Sequence, residues 1–144
     1  MNCSVAGALE IVGEWWTFLV LRDAFLGVRR FEDFQRRLGI ARNVLSNRLQ
    51  TLVDAEILER RLYQEHPARY EYRLTEKGID LWPVLMALTR WGDKYVAENG
   101  PPVLIEHKNC GGAVDDHLMC ERCGAALGAR DVWVSEGPGR VAAA

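Results

Sequence analysis

Two short amphipathic stretches joined through a single glycine, FEDFQRRL-G-IARNVLSNRLQTLVDA over residues 31–55, restrict this chain more than any other part of it. Phe31, Phe34 and Leu38 stand at i, i+3 and i+7, one face of a helix of about two turns, and Gly39 stops it. At about 100° per residue, Leu45, Leu49 and Leu52 then share one narrow sector of a second helix, Ala41–Ala55. Ala41 and Glu56 lie beside that sector, and Val44 and Val53 at its borders. The opposite face carries Asn43, Ser46, Asn47 and Gln50, flanked by Arg42 and Arg48. A short helix, a tight glycine turn and a helix packed on one side but amide-rich on the other make the helix-turn-helix pattern.

The flanking segments extend it. Val5, Ala8, Leu9 and Val12 form a helical face ended by Gly13, and Trp15–Leu26 is apolar except for Arg22 and Asp23, which predicts a buried helix. After residue 57 come two β-rich runs, about Leu58–Tyr63 and Tyr70–Leu74, joined by a loop containing His66-Pro67-Ala68 and too long for a two-residue turn. A long helix is expected from Thr75, its N-cap, to Glu98, with Leu81, Val84, Leu85, Leu88, Trp91 and Tyr95 as its stripe. Pro83 should kink it or mark a local start. The predicted fold is mainly α with a small β-hairpin wing (α+β), a winged helix-turn-helix followed by a short Cys/His ribbon. Residues 1–98 are expected to form the winged unit, 99–136 the ribbon, and 137–144 a flexible tail.

At 144 residues and 49% hydrophobic, the chain has material for one domain with an appendage. No apolar run reaches the ~18 residues of a membrane span, and the N-terminus lacks the basic start of a signal peptide. A cytoplasmic protein with reduced thiols and no membrane partner is expected. The net charge of −2 conceals an uneven distribution. Residues 29–73 hold ten arginines against seven acids, a net of +3, between acidic flanks, which suits local contact with a polyanion.

The middle segment has the side chains to read a duplex. Asn and Gln make bidentate contacts to adenine, Ser contacts several base edges, and Arg reads guanine or holds phosphate. That makes Arg42, Asn43, Ser46, Asn47, Arg48 and Gln50 the expected major-groove set. Arg29, Arg30, Arg36 and Arg37, on or before the preceding helix, are expected on phosphates. In the wing, about Tyr63–Tyr70, Arg69 is placed to enter the minor groove, and His66 to face phosphate or solvent.

Three of four cysteines and two of three histidines fall in HKNCGGAVDDHLMCERCG, residues 107–124. His107-x2-Cys110 and Cys120-x2-Cys123 have knuckle spacing, each pair followed by Gly where the turn tends to positive φ. Cys3His is a ligand set for a closed structural Zn site. A disulfide, Cys120–Cys123 or Cys110 with either, is an alternative. So is a segment folded on Val103, Leu104, Leu118, Leu127, Val132 and Trp133 with unpaired thiols. Four protein ligands leave no open position for water, and no nucleophile–base pair marks an enzyme. A protein-interaction module that reuses the winged fold remains the alternative from another class.

The motifs W-T-x-L-V-L-R-D, R-R-F-x-x-F, V-L-S-x-R-L-x-x-L, P-x-R-Y-E-Y-x-L-T-x-K-G and L-x-x-W-G, over roughly residues 3–98, resemble those of the HxlR-type winged helix-turn-helix regulators of bacteria. The resemblance implies a transcriptional regulator that binds an inverted-repeat operator as a homodimer. The dimer would be built from the first helix, Val5–Val12, and the helix after the wing, Thr75–Glu98. Both apolar faces exceed what so small a core covers. Where the family has Ser-Pro at the recognition-helix start, this chain has Ala41-Arg42, which removes a side-chain N-cap at a cost of ~1 kcal/mol and adds a cation. Some relatives sense oxidants or electrophiles through an N-terminal cysteine, the position of Cys3, and a regulator gated by redox or an effector through Cys3 or the ribbon thiols is the alternative. An effector is otherwise left open.

Overall fold

The computed structural model describes residues 2–140, which divide between Asp80 and Leu81 into two compact units. The first holds α1 (Ser4–Val12), α2 (Trp15–Phe25), α3 (Phe31–Leu38), α4 (Arg42–Asp54), the strands β1 (Leu58–Gln64) and β2 (Arg69–Leu74), and α5 (Glu76–Ile79). Its core is Val20, Leu21, Phe34, Leu45, Leu49, Leu52 and Leu58, all but inaccessible to solvent. Such side chains contribute about 1.5–3 kcal/mol each. The three leucines of α4 are the sector its periodicity predicts.

Gly39 turns α3 into α4 at φ 63°, and its N–H bonds the Gln35 carbonyl. A left-handed residue at this C-cap is cheap only for glycine. α4 starts at Ala41 with no side-chain cap bond. Of the expected buried helix, Thr17, Val20, Leu21 and Asp23 are buried, while Trp15 is exposed. The charged Asp23 is fully buried: Arg22 grips it through Nε and Nη2 at 3.0 and 2.9 Å, and Arg37 reaches it from α3 at 3.3 Å. Buried carboxylates survive only when paired in this way.

β1 and β2 are antiparallel from Leu58↔Leu74 to Gln64↔Arg69, with a bulge at Leu62/Gln64. An isolated bridge, unforeseen in the sequence, joins the segment before α3 to β2. Arg30 bridges Glu71, and the Tyr72 N–H bonds the Arg29 carbonyl at 2.7 Å.

The expected continuous helix Thr75–Glu98 is corrected to two. Thr75 caps α5, accepting from the Gly78 N–H at 3.1 Å, but the helix lasts one turn. Pro83 has no N–H for the Ile79 carbonyl and its ring would clash there. The chain therefore turns at Asp80 and restarts as α6 (Trp82–Tyr95), with Pro83 in the first turn, where proline is tolerated. α6 ends at Tyr95 because the Val96 and Ala97 N–H groups both converge on the Gly92 carbonyl.

The second unit comprises α6, the antiparallel pair β3 (Val103–His107) and β4 (Val132–Glu136), and the segment between them. Gly137 and Gly139 bond back to the Pro102 and Pro101 carbonyls, so the expected tail begins as ordered chain; residues 141–144 lie outside the described residues. Two apolar stripes lie open, one in each unit. In α1, Val5 and Leu9 are 66% and 58% exposed, and in α6, Leu88 and Trp91 are 55% and 59% exposed. Among the described residues no single helix is long and apolar enough to cross a membrane; α1 and α2 pass only as a pair bent by 78°.

Candidate nucleic-acid interface and metal centre

α4 turns Leu45, Leu49 and Leu52 inward, so Arg42, Asn43, Ser46, Asn47 and Gln50 are all left exposed along its outer side. The Arg42 guanidinium lies 4.7 Å over the Phe31 ring of α3. Arg48 is held inside the unit, donating from Nε to Glu14 Oε2 at 2.7 Å and from Nη1 to Asn47 Oδ1 at 2.8 Å. Glu14 caps α2 as well, accepting from the Thr17 N–H at 3.0 Å. Desolvation pushes its carboxyl up, but Arg48 and the Thr17 N–H outweigh this and hold it below the ordinary carboxylate range.

Arg29, Arg30, Arg36 and Arg37 surround one depression of about 430 Å³. Two of them have local partners, Arg36 on Asp33 at 2.5 Å and Arg37 on Asp23. At the wing, the loop 65–68 is tied by Gln64 Nε2, which donates to the His66 and Pro67 carbonyls at 3.3 and 3.2 Å, and His66 and Arg69 stand exposed. Arg69 and Arg42, 27 positions apart, line one cleft of about 220 Å³ with Tyr63 and Tyr70.

Sequence reading missed the arginine–aromatic stacking of the wing. Arg60 lies 4.2 Å over Tyr70, and Arg30 lies 4.4 Å over Tyr63. The first had a visible signal: Arg60 and Leu62 alternate on one side of β1, and Leu62 faces Tyr70 across the pair, so Arg60 and Tyr70 are diagonal neighbours.

In the second unit, His107 closes β3 while Cys110, Cys120 and Cys123 come from the two turns. One donor atom from each lies within 4.8 Å of all the others. The two turns repeat each other. The Gly111 N–H bonds the His107 carbonyl at 2.8 Å and the Gly124 N–H bonds the Cys120 carbonyl at 2.9 Å, with φ of 72° and 76° at these glycines. Gly112 is needed for space, since a Cβ there would fall on Cys120 Sγ and lie 2.7 Å from Arg122 Cβ. Nine residues separate the pairs, and Val114 bridges Cys120 around a turn at Asp115–Leu118.

The donor set fits zinc. His107 Nδ1 lies 3.4 Å from Cys110 Sγ and 3.3 Å from Cys123 Sγ, and Cys110 Sγ lies 3.4 Å from Cys120 Sγ. Bonds of ~2.0–2.1 Å to nitrogen and ~2.3 Å to sulfur in a tetrahedron give N···S edges of ~3.5 Å and S···S edges of ~3.8 Å, so these atoms need to part by only a few tenths of an ångström to hold one ion. The thiols are free, and 3.4 Å is far beyond the ~2.05 Å of a disulfide. The Cys123 backbone N–H, with that of Arg122 and side-chain bonds from Cys110 and His107, overcomes burial and lowers the Cys120 thiol to about 6. Cys110 is favoured by the Gly112 N–H, yet sharing with Cys120 and burial leave it raised. Only Leu127 and Val132 of the six apolar residues expected to fold the ribbon are buried, and they join Val114, Cys120 and His107. Trp82, Leu85 and Met86 of α6 add to the buried side chains of this unit. His117 is exposed and outside the cluster. Cys3 is exposed at the N-cap of α1.

Residues 11–100 match the HxlR-like helix-turn-helix family. An uncharacterised HTH-type transcriptional regulator of Mycobacterium tuberculosis is 48% identical over 137 residues, 94% of this chain and 87% of that protein. The crystal structure of PA1607, a proposed transcription factor, superposes with a TM-score of 0.73 at 37% identity, over 93% of this chain and 94% of that one. The redox regulator HypR in its oxidised form gives 0.59 at 30% identity, over 64% and 96%. The winged fold, the exposed face of α4 and these matches agree: the chain belongs to the HxlR-like helix-turn-helix family of transcriptional regulators.

Proposed function

We propose that the protein acts in the cytoplasm as a homodimer on an inverted-repeat operator. α4 enters the major groove, and the wing, Tyr63–Tyr70, lies near the minor groove. The observation that carries this reading is the unbroken exposed row Arg42, Asn43, Ser46, Asn47 and Gln50, side chains able to read base edges, on a helix whose other side is locked into the core. Residues 1–98 bind DNA and dimerise through the α1 and α6 stripes. Residues 99–136 form a ribbon in which His107, Cys110, Cys120 and Cys123 hold one structural zinc ion. Fluorescence anisotropy with the DNA upstream of its own gene tests the reading. Affinity at least ~10³-fold above that for random duplex is expected at physiological salt. Equal affinity for both duplexes across salt concentrations counts against it.

A second reading, a redox-gated regulator, is supported by the exposed Cys3 and by the similarity to HypR. Thiol mass spectrometry with mild oxidant, paired with DNA binding, separates it from the first. A Cys3→Ser variant that responds to oxidant like the parent excludes Cys3 as the sensor.

A further inference from the structure

α6 carries a second face. Met86, Thr89, Arg90 and Asp93 lie about 180° around the helix from the exposed stripe Val84, Leu88, Trp91 and Tyr95, taking ~100° per residue. They form one wall of a cleft of about 750 Å³. Val103, Ile105 and Glu106 of β3 line it as well, and Val114, Glu121 and Arg122 complete it from the segment that carries the metal donors. The cleft lies wholly within the second unit and uses none of the stripe assigned to the dimer. Its volume falls among those of small-molecule sites, roughly 300–1,000 Å³.

The lining selects the occupant. Met86, Val103, Ile105 and Val114 offer apolar surface. Both arginines are already committed: Arg90 Nε donates to Asp116 Oδ1 and Nη1 to the Val114 carbonyl, each at 2.6 Å, while Arg122 bonds the Cys110 carbonyl. The carboxylates of Asp93, Glu106 and Glu121 make no hydrogen bond or ion pair with another described residue. We propose that this cleft binds an organic cation, a compact apolar or aromatic body bearing one positive charge, whose charge is met by Asp93 from α6 and Glu106 from β3. Burial already holds the Asp93 carboxyl above the ordinary carboxylate range, against the pull of Arg90. A cation seated beside this carboxylate would offset that desolvation. The site requires neither operator nor dimer, so its test and that of DNA binding fail separately.

The test is calorimetric titration of the zinc-loaded full chain with tetraphenylphosphonium and with tetraphenylborate, an isosteric pair of opposite charge. One phosphonium per chain is expected, bound at least about tenfold more tightly than the borate. Asp93→Asn and Glu106→Gln should each weaken the phosphonium about tenfold and leave the borate unchanged or slightly tighter. Zinc content and melting temperature identify a variant damaged in folding. Glu106 adjoins His107, so Asp93→Asn decides if Glu106→Gln loses metal. Equal affinity for the two probes, no phosphonium binding, or undiminished phosphonium binding by Asp93→Asn would overturn the proposal.

Discussion

Arg42 occupies a position where two effects meet. It opens α4 without help from a side-chain cap, and its guanidinium rests on Phe31 beside the cleft shared with Arg69 and Tyr70. A guanidinium already stacked loses less freedom on meeting a guanine edge or a phosphate. Arg42→Ala is expected to weaken operator binding by about 1–3 kcal/mol, with lost discrimination if it reads a base and a salt slope lower by about one if it holds phosphate. Phe31→Leu keeps the charge but removes the platform, so it should weaken operator binding more than random-duplex binding in the same anisotropy assay. Glu14 makes a pH prediction. Its folded pKa is depressed, so the ionised form is favoured in the fold. The Glu14–Arg48 contribution is full above the unfolded carboxylate value and is lost as pH falls through the folded one. Solvent screening of this partly exposed pair keeps it below about 1 kcal/mol. Urea melts from pH 7 to pH 3 should show Glu14→Gln less stable than the parent near neutrality and equal to it at the acid end.

Two turns bring four possible metal donors together in the segment after α6. Removing metal from a Cys3His site costs a small domain most of its folding free energy. A chelator should therefore collapse hydrogen-exchange protection in β3 and β4 while leaving α2–α4 protected. Gly112→Ala should copy that result without chelator, lowering bound zinc below one per chain by mass spectrometry, because its Cβ needs the space of Cys120 Sγ. This element was readable in the sequence: a glycine after each x2 ligand pair has one economical explanation, a left-handed turn, and Gly111 and Gly124 adopt it. The α4 core was equally plain, since Leu45, Leu49 and Leu52 repeat at the helical period. The bridge at Arg29–Arg30 was not, because two residues pairing through backbone groups leave no alternation. Neither was the burial of Asp23 or the link from Glu14 to Arg48, 34 positions apart, as such pairings exist only once the helices are packed. The single helix expected at Thr75–Glu98 failed on one residue, Pro83, whose position permits a kink or a restart.

At the scale of the whole molecule, the exposed stripes of α1 and α6 are what a monomer would have to justify. Leu88→Asp or Trp91→Asp is expected to halve the mass measured by sedimentation equilibrium and to lower operator affinity well over tenfold, since each half-site then binds alone. Retained dimer mass in both variants would move the interface elsewhere. The Asp80/Leu81 division matters to anyone who wishes to transplant the parts. Composition shifts at Asn99–Pro102, which invites a cut after Glu98, yet that cut severs Arg90 from Asp116 and the Val114 carbonyl. The fragment ending at residue 98 would keep a helix stripped of its tether, whereas one ending at residue 80 keeps the whole first unit. The helix-turn-helix and wing thus travel in the shorter piece without the α6 stripe, and the helix and the Cys/His segment are best moved together.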